Sequence, residues 1–203
     1  MRLPVIINSS SGGGSTIVTP VVHCRSLAQA VISSTVAGEV LTDCLTRRLE
    51  NNGQVLVAAA QNWTESYRNY YKRKFASAIK EKLCRFSEAP HHDVESYELP
   101  DGRTIEVGAE RFQIPEIPFS PSMVQDATVM STLANAFDDG IVEIDGIENA
   151  ENIASHAGLT EMVINCINKC EGCHHAELYS NILLTGGPTS EPQLKERLQK
   201  DVQ

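Results

Sequence analysis

The sequence predicts an α/β fold, in which helices pack on the faces of a sheet. Two short apolar runs that end at polar residues, at 4–7 and 179–184, have the length and composition of buried strands. Three longer stretches, at 37–49, 159–170 and 192–202, repeat their apolar residues with a helical period. Strands that alternate with helices along one chain are typical of a sheet covered by helices.

The first part of the chain is predicted to run from strand to turn, to strand and to helix. The Ser/Gly sequence SSSGGGST at 9–16 predicts a turn, and a strand is expected at Ile17–Val22. The helix at 37–49 is then ended by two asparagines and a glycine. Its apolar residues lie at helical spacing: Val40, Leu41, Cys44, Leu45 and Leu49.

The middle of the chain is predicted to hold helices and then a hairpin. The charged stretch Thr64–Phe86 predicts a pair of solvent-facing helices, whose charges are better interpreted as a solvated face than as a binding patch. The Pro-Asp-Gly sequence at 100–102 predicts a turn between two strands, because glycine permits positive φ. Three further prolines predict extended chain at Pro115, Pro118 and Pro121.

Composition narrows the class of protein. The 203 residues are 41% hydrophobic and 21% charged, which fits a globular chain with a buried core. The net charge of -9 argues against a direct nucleic-acid partner, which would need a basic face. No apolar run is long enough for a membrane helix or a signal peptide, so we expect no membrane partner and an intracellular protein with reduced thiols.

Four stretches stand out, in this chain order: AGEVLTDCLTRRLENNG at 37–53, AIKEKLCRF at 78–86, YELPDGRTIEVGAERF with the bend QIPEIP at 97–118, and YSNILLTGGPTSEPQLKERLQKDV at 179–202. All four resemble eukaryotic actin, and the chain is identified as a divergent member of the actin and actin-related protein family. The resemblance covers mainly the second lobe of that family. It implies an α/β, actin-like (ribonuclease-H-like) ATPase-domain lobe with an inserted α+β subdomain.

The resemblance also implies a division into subdomains. Residues 1–36 and 153–203 would form the inner subdomain of the second lobe, and residues 37–124 the outer, inserted one. Residues 125–152 have no counterpart in actin, and are interpreted as a tolerated surface insertion or, alternatively, as a partner-binding loop. Actin chains are nearly twice as long, so the chain is a fragment, a truncated gene model or a reduced relative.

A nucleotide site is implied by the same matches, with ATP or ADP and Mg as the cofactor. Two glycines match a phosphate loop, one precedes a ribose-facing position, a Lys-Glu pair matches the adenine pocket, and two more glycines match the turn beside the sugar and phosphates. These residues are Gly12, Gly14, Gly38, Lys80, Glu81, Gly186 and Gly187. Glycines at such places let backbone N–H groups approach phosphate oxygens.

Several family positions carry different residues here. Ser10 and Gly13 stand where actin has the aspartates that organise the metal, and Ile17 stands where it has a histidine near the attacking water. Glu39 replaces an arginine, and Glu191 replaces a tyrosine beside the adenine. Because carboxylates hold hydrated magnesium and orient the water, we predict weak or structural nucleotide binding, little hydrolysis and no catalytic residue.

The implied role is cytoskeletal or in the assembly of a complex, with other actin-family or complex subunits as partners. The expected location is the cytoplasm and cytoskeleton, with the nucleus as a second location. Two alternatives stay open: a conventional polymerising actin ATPase, and a nuclear actin-related subunit of a chromatin-remodelling complex. A sugar kinase of the same superfamily is disfavoured, because the YELPDG sequence at 97–102 is similar to actins specifically.

One cysteine and histidine cluster has two interpretations. The sequence CEGCHH at 170–175, with Cys166 one helical turn earlier, has the spacing of a zinc half-site or of a haem-attachment motif. The match to actin instead puts it at the exposed end of a helix. We therefore predict no metal site there.

Overall fold

A computed structural model of the chain describes residues 9–11, 13–58, 63–86, 93–123, 157–187 and 193–202. The predicted strand at 4–7 and the segment 125–152 lie outside these ranges. The helices described are α1 (Gly38–Asn51), α2 (Glu65–Leu83), α3 (Glu110–Glu116), α4 (Leu159–Asn168), α5 (His175–Ser180) and α6 (Leu194–Val202). The strands are β1 (Ser9–Ser11), β2 (Thr16–Val18), β3 (Val21–Val22), β4 (Arg25–Ser26), β5 (Ile32–Ser34), β6 (Glu95–Glu98), β7 (Thr104–Val107) and β8 (Leu184–Gly186).

The strands pair in four short ladders. β1 pairs with β8 in parallel, so the two ends of the described chain meet in one ladder. β2 pairs antiparallel with β5, and β3–β4 and β6–β7 form antiparallel hairpins. Parallel pairing beside packed helices agrees with the predicted α/β class.

The two predicted strands at 17–22 and 179–184 differ in the structure. The first is divided into β2 and β3, with Thr19 and Pro20 between them. The second prediction is wrong at every residue except Leu184, because α5 extends to Ser180 and β8 begins only at Leu184. The sequence HAELYS has no β-branched residue and contains good helix formers, which favours the helix.

The helix predicted at 37–49 is confirmed as α1, but the predicted helical pair is wrong. α2 is one continuous helix of 19 residues, since no glycine or proline interrupts it. Thr64 is its N-cap, and the Thr64 hydroxyl accepts a hydrogen bond from the backbone N–H of Tyr67. The helices predicted at 159–170 and 192–202 are confirmed, with slightly shorter bounds, as α4 and α6.

The Pro-Asp-Gly turn is confirmed between β6 and β7. Gly102 has a φ of 80°, which an L-residue with a Cβ adopts only at a cost, and its N–H donates to the carbonyl of Leu99. The Asp101 carboxylate accepts from the N–H of Arg103. The turn residues therefore act as the sequence predicts.

The expectation of extended chain is wrong at all three prolines, and Pro118 lies in the turn that follows α3. Pro115 lies within α3, and Pro121 begins a short 3-10 turn. A proline in a helix leaves the carbonyl four residues earlier without its helical donor. Here that carbonyl belongs to Arg111, and it accepts a hydrogen bond of 3.0 Å from the backbone N–H of Arg85. The neighbouring chain therefore satisfies the group that proline leaves open.

The buried side chains form two clusters. One joins α1, α2, α3 and the β6–β7 hairpin, with Leu45, Ile79 and Ile105 among its members. The other joins β2 with α4, α5 and α6, with Val163 and Leu198 among its members. Within the described ranges no helix is long and apolar enough to cross a membrane.

Candidate functional site

The parallel strands β1 and β8 bring two glycine-rich segments to one edge. Ser11 at the end of β1 lies opposite Gly186 at the end of β8, and Gly187 follows. After β1 the chain turns through Gly13 and Gly14, which are both exposed. In open α/β sheets, ligands bind in the crevice beyond the carboxyl ends of the strands. The turn and the glycine pair therefore occupy the kind of edge at which a ligand is expected.

Glu39 joins this turn to the first turn of α1. Its backbone N–H donates a hydrogen bond of 2.9 Å to the carbonyl of Gly13. Its carboxylate lies against the same glycine, so that a Cβ added at Gly13 would be 2.9 Å from Oε1 of Glu39. A helix N-terminus attracts anions through its free N–H groups and its dipole. The Glu39 carboxylate already places a negative charge there.

An open groove continues from Glu39 between α1 and α2. Its volume is about 540 Å³, within the usual range of roughly 300–1,000 Å³ for small-molecule sites. The walls combine carboxylates, cations, hydroxyls and one exposed aromatic ring. The lining residues are Glu39, Thr42, Tyr70, Arg73, Lys74, Ser77, Ala78 and Glu81.

The two members of the predicted Lys-Glu pair have different places. Glu81 lines the groove and accepts a hydrogen bond of 3.1 Å from the hydroxyl of Ser77. Lys80 lies behind the wall and is only 7% exposed. Its ammonium donates to the carbonyl of Gly38 at 2.8 Å and to the hydroxyl of Thr42 at 3.0 Å. Lys80 therefore fixes the first turn of α1, which carries Glu39.

Arg73 bridges the two helices at the rim of the groove. Its Nε lies 2.9 Å from Oδ1 of Asp43, and its Nη2 lies 3.6 Å from Oε2 of Glu39. Burial raises the pKa of the Asp43 carboxyl above its usual value, and this effect outweighs the attraction of the Arg73 guanidinium, which lowers the pKa. The groove is thus bordered by a partly desolvated acidic group as well as by cations.

Arg73 and Asp43 were missed by the sequence analysis, although a signal was present. Arg73, Ser77 and Glu81 are spaced by four residues, as are Glu39 and Asp43, so each set shares one helix face. The buried stripe of α2 likewise follows positions 76, 79, 80 and 83, which places Lys80 on the apolar face. Helical spacing alone could have separated Lys80 from Glu81.

The described residues fit a nucleoside better than a hydrated magnesium ion. The groove offers the Glu81 carboxylate as a hydrogen-bond acceptor and the Tyr70 ring as an aromatic surface. At the turn, the described side chains supply one carboxylate, that of Glu39, and hydrated magnesium is usually held by one or two carboxylates together with phosphates. Glu39 also lies 3.6 Å from Arg73, so that guanidinium competes with any cation for this carboxylate.

The structure does not describe the side chains at three of the positions named from the sequence. Gly12 and Glu191 lie outside the described residues, and the side chain of Ser10 is not described. Ile17 is half-buried in β2, where its backbone pairs with Ser33 of β5. Gly38 is buried, and its carbonyl accepts from Thr42 as well as from Lys80.

Comparison with known proteins identifies the family of the chain. The family model "Actin" matches residues 4–203. The chain is 40% identical to Actin-related protein 4 of Arabidopsis thaliana, over 94% of this chain and 46% of the relative. It is 32% identical to Actin-related protein 2 of Acanthamoeba castellanii, over 95% of this chain and 42% of the relative. The chain thus spans less than half the length of these relatives, and it belongs to the actin family.

Proposed function

We propose that the chain acts as part of a divergent actin-related protein that holds an adenine nucleotide as a structural cofactor and hydrolyses it little. The observation that carries this proposal is the contact between Glu39 and the Ser/Gly turn. It joins the turn, where we place the phosphates, to a groove that both Glu39 and Glu81 line. The nucleotide, its partners and its location are proposals for the whole protein, of which this chain spans one part.

The nucleoside end of the groove supports adenosine as the ligand. Glu81 is exposed and its carboxylate accepts hydrogen bonds, as recognition of a sugar hydroxyl or an exocyclic amine requires. Tyr70 is 59% exposed and offers an apolar ring that a base can contact. Lys80 acts as a positioning residue, because it holds Gly38 and Thr42 rather than the ligand.

The phosphate end supports a nucleotide that is held without efficient hydrolysis. Phosphates are favoured by backbone N–H groups of the glycine turn, but the Glu39 carboxylate opposes them by charge repulsion. Hydrolysis also needs groups that orient water and neutralise the transferred phosphoryl. Within the described part of the site, Arg73 is the arginine that lines the groove, and it is paired with Asp43.

The two buried clusters support the proposed division of the chain. The cluster of α1, α2, α3 and the β6–β7 hairpin would be the core of an outer inserted subdomain over 37–124. The cluster of β2 with α4, α5 and α6 would be the core of the inner subdomain, from 1–36 and 153–203. The groove is formed by α1 and α2, and it begins where α1 meets the turn after β1.

An assembly role with other actin-family or complex subunits is the proposal for the whole protein. It draws support from the similarity of the chain to relatives named Actin-related protein 4 and Actin-related protein 2. The segment 125–152 is proposed as a family-atypical insertion in that assembly. Cytoplasmic and nuclear locations are both consistent with this proposal.

The nucleotide proposal is tested by two substitutions with opposite effects. Glu39→Gln removes the charge beside the turn, and we expect it to strengthen ADP binding several-fold. Glu81→Ala removes the carboxylate that we propose accepts a hydrogen bond from the nucleoside. The loss of one hydrogen bond of roughly 1–1.5 kcal/mol should weaken ADP binding by about fivefold to tenfold. Both affinities are measured by isothermal titration calorimetry of the natural protein that carries this sequence.

The matched control is Glu98→Gln, which removes an exposed carboxylate on β6, away from the groove. It should leave the ADP affinity unchanged, since screening by salt limits effects at a distance. An equal response to Glu39→Gln and Glu98→Gln would mean that net charge, and not the groove, sets the affinity. An unchanged affinity in Glu81→Ala would contradict the proposed position of the nucleoside.

A further inference from the structure

Three metal-ligating side chains converge in the loop after α4. Glu171, Cys173 and His174 each offer one donor atom, and the three donors lie within 4.8 Å of one another. Sγ of Cys173 lies 3.8 Å from Oε2 of Glu171. In tetrahedral zinc sites the donors stand roughly 3.3–3.8 Å apart, as bond lengths of about 2.0–2.3 Å require. Small side-chain rotations therefore suffice to close these donors around one ion.

A second histidine lies next to this cluster and comes from a different part of the chain. His23 lies in the two-residue turn of the β3–β4 hairpin, and its ring meets that of His174 edge to face, with centroids 5.5 Å apart. His23 and Cys24 have φ values of 52° and 62°, in the left-handed region that turns of this kind require. Asparagine and glycine are the usual residues at such positions, and neither brings an imidazole or a thiol.

The structure divides the CEGCHH sequence into two groups. Cys166 and Cys170 are buried on α4 and directly after it, and the thiol of Cys170 donates to the carbonyl of Cys166 at 3.3 Å. His175 has its Nε2 3.0 Å from the carbonyl of Cys170. The spacing of two cysteines that suggested a zinc half-site thus does not form one here. The donors that do converge are Cys173, its neighbour His174, and Glu171.

We propose that Glu171, Cys173 and His174, completed by His23, bind a borderline-soft divalent transition-metal ion of the Zn²⁺ class. A thiolate and two imidazoles favour such an ion over Mg²⁺ or Ca²⁺, which prefer oxygen ligands. The bound ion would tie the β3–β4 hairpin to the loop after α4. The sequence-based expectation of no metal site in this segment is replaced by this proposal.

The test uses the natural protein, first stripped with a chelator and then titrated with Zn²⁺ and with Co²⁺. We expect a stoichiometry of one ion per chain by calorimetry. Co²⁺ should produce an absorption band in the near ultraviolet that reports charge transfer from a cysteine thiolate. Cys173→Ser should abolish this band. His174→Ala should weaken Zn²⁺ binding by more than about tenfold, since even an outer partner of a ligand is worth about 10–100-fold.

The matched control is Cys24→Ser, because Cys24 and Cys173 are the two exposed cysteines of the chain. The control should keep both the absorption band and the affinity. Absence of stoichiometric binding, or a band that survives Cys173→Ser and disappears in Cys24→Ser, would overturn the assignment. His23→Ala should weaken binding as well, and an unchanged affinity would remove His23 from the ligand set. Circular dichroism of each variant separates loss of a ligand from loss of the fold.

Discussion

At the scale of single residues, the groove is governed by competition between charge and burial. Arg73 attracts both Asp43 and Glu39, yet burial raises the pKa of Asp43 because its carboxylate loses hydration. Glu39 is more exposed than Asp43, and its carboxylate lies against the turn. The groove is thus bordered by one partly buried carboxylate and one exposed carboxylate.

The raised pKa of Asp43 predicts how stability depends on pH. The folded chain binds the proton more tightly than the unfolded chain, whose pKa is near 3.8, so stability falls as pH rises from about that value through the folded-state pKa. Asp43→Asn lacks this penalty. We therefore expect Asp43→Asn to become more stable, relative to the unmodified protein, as the pH rises from about 3 to about 7. Urea denaturation of both proteins at a series of pH values measures this difference in the free energy of unfolding.

The contrasting variant is Asp101→Asn. Hydrogen bonds from Arg103 lower the pKa of Asp101, so its contribution is present at neutral pH and is lost as pH falls. The relative stability of this variant should therefore change in the opposite direction, by a small amount because Asp101 is exposed. A loss of stability in Asp43→Asn that grows towards pH 7 would mean that the Arg73 ion pair outweighs burial.

At the scale of elements, α1 and α2 act as one unit that Lys80 holds together. Lys80 emerges from the buried stripe of α2 and donates to two acceptors in the first turn of α1. Ion pairs of Lys72 with Glu50 and of Arg73 with Asp43 add contacts at the surface, where such pairs contribute little. The position of Glu39, and so the entrance of the groove, depends mainly on the buried contact.

Lys80→Met should therefore destabilise the fold by about 1–3 kcal/mol. The methionine keeps most of the volume, but two hydrogen bonds from a charged donor are lost, and the relief of a buried charge offsets part of this. Lys195→Met, at an exposed position of α6, is the control and should change stability by less than about 0.5 kcal/mol. Equal stability of the two variants in urea would contradict the structural role of Lys80.

Elements with strong local signals could be predicted from the sequence, and those decided by distant contacts could not. The sequence predicts α1 because the apolar spacing of the helix and the residues that end it agree. It predicts the turn at 100–102 because glycine permits the positive φ that Gly102 adopts. Pro115 was misplaced because its tolerance within α3 depends on Arg85, which is far away in the sequence. Tertiary contacts overrode local propensity there.

The candidate site also depends on contacts between distant residues, which the sequence does not reveal. The resemblance names the glycines and Glu81 as candidates, and their role stays a prediction. The contact of Glu39 with Gly13 arises only when α1 docks on the turn after β1. The pairing of Ser11 with Gly186 joins residues from the two ends of the chain, and no local pattern reports it. The convergence of His23 with His174 is equally non-local.

At the scale of the whole molecule, the chain belongs to the actin family and spans less than half of its actin-related relatives. It contains the groove between α1 and α2, and the Ser/Gly turn that we propose faces the phosphates. The central claim is that the natural protein retains an adenine nucleotide without turning it over. The other properties that we propose for the natural protein, including assembly with further subunits, depend on this claim or extend it.

Native mass spectrometry of the endogenous protein, before and after incubation with Mg-ATP, tests the claim most directly. We expect each molecule to carry one adenine nucleotide through purification, in company with its partner subunits, and to release no more than about one ADP per chain. A protein that carries no nucleotide, or one from which free ADP accumulates over many turnovers, would contradict the account.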